Sequence, residues 1–255
     1  MTERPNDKAT ALNKMISICM VALILVAFIW FPIKAIGLKL DFASLLSYKN
    51  RIWQGFSMTL IIAFASLMVS LVIGSVTALG QQARLLVVRY LSRTYVQIIR
   101  GTPLLVQIYF FYYIIGTAWG IDNRYIAGVL ILSIFEGAYI SEIIRGGIES
   151  IDPQQYEITR SIGLSPLQTL RLVTFPILMS RILPALAGQL ASIIKDSSLL
   201  SVIAVIELTQ TTQEISADNF RMFENYLFLG FLYFLLTFAV SLLTRALERR
   251  YKHEN

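Results

Sequence analysis

Hydrophobic and polar residues fall in long blocks along this chain rather than alternating. Residues 15–33 form an uncharged run of 19 between Lys14 and Lys34, and residues 52–83 an uncharged run of 32. Residues 101–121 and 225–244 add runs of 21 and 20. Two more apolar blocks are interrupted by charge: 125–144 holds Glu136 and Glu142, and 182–206 holds Lys195 and Asp196. A helix needs about 20 apolar residues to cross the hydrocarbon of a bilayer. The pattern therefore predicts an all-α polytopic membrane protein with six transmembrane helices. Composition agrees, with 56% hydrophobic and 15% charged residues, against about 25% charged in soluble domains.

Charge fixes a direction. Six crossings put both termini on one side, and that side collects Arg4, Lys8 and Lys14, the arginines at 84, 89, 93 and 100, those at 145, 160, 171 and 181, and Arg245, Arg249, Arg250 and Lys252. These are 15 of the 22 basic residues; 6 (Lys34, Lys39, Lys49, Arg51, Arg124, Arg221) fall on the other side, and Lys195 lies within a span. The bias predicts both termini in the cytoplasm. The net charge of +6 thus reflects membrane orientation, and nucleic acid is excluded as a partner. Ala35-Ile36-Gly37 resembles a weak leader-cleavage site, but 19 apolar residues exceed the 7–15 of a signal peptide, so the first run is read as a retained helix. One cysteine, Cys19, and one histidine, His253, allow neither an internal disulfide nor a metal site. The polar stretch 207–224 is read as an external loop, with room for a short surface helix.

The segment 145–181 is the informative one. Asp152-Pro153-Gln154-Gln155 has the chemistry of a helix start: an acceptor for first-turn amides, proline at the first helical position, and Gln155 to complete a capping box. Gly163 supplies the left-handed residue that ends such a helix, and Ser165-Pro166-Leu167-Gln168 repeats the start. The second helix runs toward Phe175-Pro176, where proline is predicted to bend or break it before the next span. Two short helices meeting at Gly163 form an L-shaped protrusion. Most connections are about 4–6 residues, so a folded loop of this length points to function.

That loop resembles the one carried by membrane subunits of type I ATP-binding-cassette importers, written E-A-A, three residues, G, nine residues, I-x-L-P. Here Glu157-Ile158-Thr159 is followed by Gly163 and then Val173-Thr174-Phe175-Pro176 at the same spacing, with Ile158 and Thr159 in place of the two small residues. The flanks resemble the polar amino acid subfamily (histidine, glutamine and glutamate types): Arg100-Gly101-Thr102-Pro103-Leu104-Leu105-Val106-Gln107, Ala138-Tyr139 followed by Glu142, Arg145-Gly146-Gly147-Ile148, and Lys195-Asp196-Ser197-Ser198-Leu199. The resemblance covers residues 52–245. It implies a five-helix permease core at 51–246, an extra N-terminal helix and linker within 1–50, and a cytoplasmic tail at 247–255. It also implies a second permease subunit (homo- or heterodimer), two ATPase subunits, an extracytoplasmic binding protein, and a place in a bacterial cytoplasmic (inner) membrane. Glu157, Gly163, Ser165 and Pro176 are then the candidate coupling residues to the ATPase.

No lysine here is followed by Ser or Thr, so the phosphate-binding Gly-Lys-Ser/Thr loop is absent. ATP and Mg are expected in the partner ATPase, and this chain is not expected to be an enzyme or to hold a cofactor. Two alternatives remain open: a secondary transporter of small polar solutes, or an importer permease for a solute other than an amino acid. Charges inside spans cost about 2.5–3.5 kcal/mol each and normally face a cavity or a partner. Glu136, with Tyr139 one turn on, could receive an ammonium group, or could pair with another span. Lys195 and Asp196 complete the candidate substrate path, and Glu142 is read as an i,i+3 ion pair with Arg145.

Overall fold

The computed structural model describes residues 11–37 and 40–252. The expectations on Arg4, Lys8, Lys39 and His253 lie outside the described residues. Every element among the described residues is helical. Contacts divide the chain into two units, Met1–Phe42 and Ala43–Asn255. The first holds α1 (Ala11–Ala35), which coincides with the first apolar run. Its Lys34 ammonium lies 4.6 Å from the centre of the Trp30 ring, a basic–aromatic pair of the kind found at membrane interfaces.

The second unit is built around α2 (Lys49–Gln81) and α5 (Arg124–Glu149). Lipid gives helices no hydrophobic reason to associate, so close contact depends on small residues that let backbones approach. Gly74 and Gly137 serve this at the crossing. A Cβ on Gly74 would meet Ile140 Cγ2 at 2.6 Å, and one on Gly137 would meet Ile73 Cγ2 at 2.7 Å. Ser133 Oγ donates to the Val129 carbonyl at 2.6 Å and reaches the Ser66 carbonyl of α2 at 3.3 Å. α8 (Phe175–Asp196) and α10 (Met222–Lys252) pack beside this pair. Ile108, Leu132, Ile193 and Leu200 are sealed in the shared core.

Five helices are long and apolar enough to cross a membrane, or six if the bent pair α3 (Leu86–Gly101) and α4 (Leu104–Tyr109, continued to Gly116) counts as one span. The third apolar run is thus not one straight span over 101–121. Pro103 holds Thr102 extended (φ −122°, ψ 146°), because its ring clashes with a helical preceding residue. The chain turns through 111° there, and α4 continues as a π-helical stretch, Phe110–Gly116.

Three local expectations are also revised. Helix does not break at Pro176. α7 (Pro166–Thr169) opens into a π turn, Leu170–Thr174, and α8 starts at Phe175. Pro176 therefore falls in the first turn of α8, where the helix runs on from the π turn. Gln155 does not complete a box with Asp152. Its amide bonds to the Asp152 carbonyl, while the Asp152 side chain accepts from Gln154 N at 2.9 Å. The stretch 207–224 is a packed helix, α9 (Leu208–Asn219), with Leu208, Thr211, Thr212 and Ile215 buried. Its buried side lies against α2: Leu208 N donates to Thr59 Oγ1 at 3.1 Å, and Arg51 pairs with Glu214 and Asp218 at 2.7 Å each.

Candidate functional site

The loop after α5 is held by local interactions. α6 (Pro153–Ser161) is capped by Asp152. Gly163 follows at φ +77°, a conformation that costs an L-residue about 1–2 kcal/mol and glycine nothing. Ser165 and Gln168 then form a reciprocal capping box at the start of α7, satisfying two otherwise orphan amides. Arg181 reaches back to the Ser150 carbonyl, tying the foot of α8 to the end of α5.

This loop presents apolar groups outward. Ile162 is 67% exposed and Leu167 72% exposed, with Ile158, Leu170 and Leu172 also exposed. Between the two short helices lies a cleft of about 430 Å³ lined by Tyr156, Thr159, Arg160, Leu164, Pro166 and Leu170 among others. Glu157 is exposed on α6, and its carbonyl accepts from Ser161 Oγ at 3.0 Å. Of the two residues replacing the small pair, Thr159 is buried and Ile158 is exposed.

Within the bundle the candidate path residues separate. Glu136 is fully buried, and Gln189 Nε2 of α8 donates to its Oε2. The Asp196 carboxyl lies beside it, and Glu136 Oε1 has no hydrogen-bond partner among the described residues. Tyr139 faces elsewhere: its ring packs at a tilt against Phe135, centroids 5.1 Å apart, and receives the Arg100 guanidinium at 5.2 Å. Lys195 is exposed at the end of α8. The fold thus joins Glu136 to Asp196 but not to Tyr139, and brings in Gln189, which was not singled out from the sequence. An amide in the apolar block 182–206 was the available signal.

Glu142 is a hub. It accepts from Arg145 at 2.9 Å and Gln81 Nε2 at 3.2 Å and forms an ion pair with Arg100 at 3.3 Å, joining α5, α3 and α2. Arg145 also holds Glu149 at 2.7 Å. These groups, with Arg93 and Gln97, line a cavity of about 350 Å³. At the other end, Glu207 caps α9 by accepting from Thr209 N and Gln210 N, and receives the Tyr233 hydroxyl, each at 2.8 Å. Burial pushes the Glu207 carboxyl up, and these donors pull it back. As one acidic residue in an apparently polar loop, Glu207 gave no sign of this in the sequence.

Comparison with known proteins places this geometry. The family described as binding-protein-dependent transport system inner membrane component matches residues 70–253. The glutamine transport system permease protein GlnP of Escherichia coli K12 is 38% identical over 202 residues, covering 78% of this chain and 92% of that protein. The L-cystine transport system permease protein TcyB of Bacillus subtilis is 34% identical over 197 residues, covering 77% and 84%. A solved structure of an amino acid ABC transporter with histidines superposes with a TM-score of 0.77 at 34% identity, over 84% of this chain and all of that one. The inward-facing MetNI methionine ABC transporter, at 17% identity and a TM-score of 0.61, shares the fold.

Proposed function

We propose, from the premise that this chain belongs to the family of binding-protein-dependent transport system inner membrane components, that it is the permease subunit of an ATP-binding-cassette importer for a polar amino acid. It is a multi-pass membrane protein. Its permease domain is assigned to 51–246, with both termini in the cytoplasm. ATP and Mg belong to two separate ATPase subunits, a second permease completes the path, and an extracytoplasmic binding protein delivers the solute. Relatives named for glutamine and L-cystine support the amino acid class.

One observation carries the coupling role: a doubly capped helix pair, locked at Gly163, that turns Ile162 and Leu167 outward. Apolar side chains raised on a capped support, with none of the described residues over them, suit a helix seated in a groove of another protein. A rigid pair transmits displacement, so closure of the ATPases can bias the bundle between two states. Inside, Glu136, Asp196 and Gln189 offer a surplus of acceptor oxygens. That matches a substrate ammonium, whose charge-assisted hydrogen bonds are about twice as strong as neutral ones.

The test is reconstitution. The complex purified through this chain contains an ATPase, and uptake of a polar amino acid in proteoliposomes requires ATP. Uptake driven by an ion gradient without ATP would instead make the chain a secondary transporter. In a Cys19→Ser background, Asp218→Cys reacts with an impermeant thiol reagent from outside the cell and Gln168→Cys does not. Reversed labelling refutes the orientation.

A further inference from the structure

We infer that α3 is not a crossing segment but a helix lying in the plane of the cytoplasmic leaflet, with one side immersed among acyl chains and its arginines at anionic headgroups. Three independent observations carry this. The first is contact level. Near the middle of α3, Ser92 abuts Gly80, where a Cβ on the glycine would collide with its side chain. At the end of α3, Arg100 meets Glu142 at 3.3 Å. Gly80 adjoins Gln81, whose amide bonds that same Glu142 at 3.2 Å. Positions 92 and 100 are separated by about 12 Å along a helix axis, yet both meet groups at one level, that of Gly80 and Gln81 at the end of α2. A helix parallel to α2 and α5 could not do that. The 111° turn into α4 agrees.

The second observation is the distribution of side chains around α3. Tyr95, Val96 and Ile99 turn toward the bundle, with Val96 and Ile99 buried and the Tyr95 hydroxyl donating to the Ile134 carbonyl. Val87, Leu91 and Ile98 share another face and are 72%, 71% and 57% exposed. At 100° per residue, Arg89, Arg93 and Arg100 fall on the side away from that stripe. An apolar stripe opposite a basic one is the signature of a helix in the interface plane.

The third is charge. Residues 84–101 contain Arg84, Arg89, Arg93 and Arg100 and no acidic residue. Arg100 is committed to Glu142, whereas Arg84 and Arg93 form no ion pair among the described residues. Basic residues beside an apolar helix face are complementary to the anionic surface of the cytoplasmic leaflet, where each contributes attraction equivalent to about a fivefold preference. Parity points the same way. If α3 crossed as well as α4, the loop 145–181 would lie outside, against the basic-residue bias.

The inference rests on the cytoplasmic placement proposed above, and a depth measurement separates the two. Nitroxides are placed at Val87, Leu91 and Ile98 in a Cys19→Ser background, in the assembled transporter in nanodiscs of phosphatidylcholine mixed with phosphatidylglycerol. Collision with oxygen and with a water-soluble nickel chelate reports depth. The expected result is one shallow, oxygen-accessible depth at all three sites. Depth that changes steadily from 87 to 98, by about 16 Å, overturns the in-plane placement. Loss of access to both reagents overturns it in favour of a covering protein, such as a second permease. The thiol-labelling pattern reports orientation without reference to α3, so either reading can fail alone. In the second arm, Arg84→Gln with Arg93→Gln reduces the preference for spin-labelled phosphatidylglycerol over phosphatidylcholine by about 20-fold or more at low salt. A preference unchanged by the double substitution overturns headgroup recognition.

Discussion

α5 and the loop that follows it invert each other's chemistry. α5 runs through the bundle carrying Ser133, Glu136, Ser141 and Glu142, and each of these finds a hydrogen-bond partner within the chain. The loop carries Ile158, Ile162, Leu167 and Leu172, all exposed. In α5 the chain satisfies its awkward groups internally, as buried polar atoms demand. In the loop the awkward groups are apolar, held in place by caps, and exposed. Glu136 Oε1, without a hydrogen-bond partner among the described residues, is where α5 departs from its own rule, and the proposed substrate ammonium would complete it.

The strongest way to break this contrast is to make the loop polar. Ile162→Asp together with Leu167→Asp removes two well-placed anchors and buries two charges on docking. Each anchor of this kind contributes about 2 kcal/mol or more, so affinity for the ATPase should fall by about three orders of magnitude. Both positions are exposed in the chain itself, so the thermal midpoint of the isolated permease should hardly change. Titration of the purified permease with its ATPase measures the first, and a melting curve the second. Unchanged binding would remove the loop from the docking surface.

Glu136→Gln probes the opposite member. The substitution keeps shape and hydrogen bonding and removes the charge. A charge-assisted bond contributes about 1.5–3 kcal/mol, so uptake per assembled complex should drop by roughly 10- to 100-fold at limiting substrate. A lowered midpoint with normal uptake per complex would assign Glu136, Gln189 and Asp196 to the scaffold.

Gly163→Ala tests whether rigidity at the bend matters as much as the anchors it supports. The left-handed conformation at φ +77° costs alanine about 1–2 kcal/mol, which should weaken ATPase binding by about tenfold. Asparagine tolerates this region better, so Gly163→Asn should recover part of the loss. A Cβ at 163 meets nothing within 4 Å, so an equal loss with both substitutions would mean that the ATPase contacts the glycine directly.

What could be read from the sequence follows from how local each determinant is. The long runs were legible because a bilayer imposes its thickness on every crossing helix, and the caps at Asp152 and Ser165 because each acts within three residues. The elbow before Leu104 was misread because hydropathy alone cannot separate a 21-residue span from a turn followed by a shorter helix. Pro103 was the overlooked signal. The pairing of Glu136 with Gln189 spans 53 positions, and no local pattern encodes it. The same holds for Glu207, which meets Tyr233 only because α9 folds back against α2 and α10.

The smallest expected effect is at the N-terminal end of α2, where Arg51 holds Glu214 and Asp218 of α9. These pairs look prominent, but the Arg51 side chain is 39% exposed, and exposed ion pairs contribute about 0.2–1 kcal/mol. The same helix is also held by buried bonds: Glu207 on its first amides, and Thr59 on Leu208 N. Arg51→Gln should therefore lower the thermal midpoint by only about 2–4 °C, the shift that 1 kcal/mol produces in a domain of this size. The wild-type advantage should shrink further in high salt. Thr59→Val, which is nearly isosteric but removes the buried acceptor, leaves Leu208 N unsatisfied and should cost more, about 1–3 kcal/mol. Melting both variants at low and high salt decides the order. If Arg51→Gln proves the more damaging and salt does not soften it, then α9 is held from its surface and not from its buried cap.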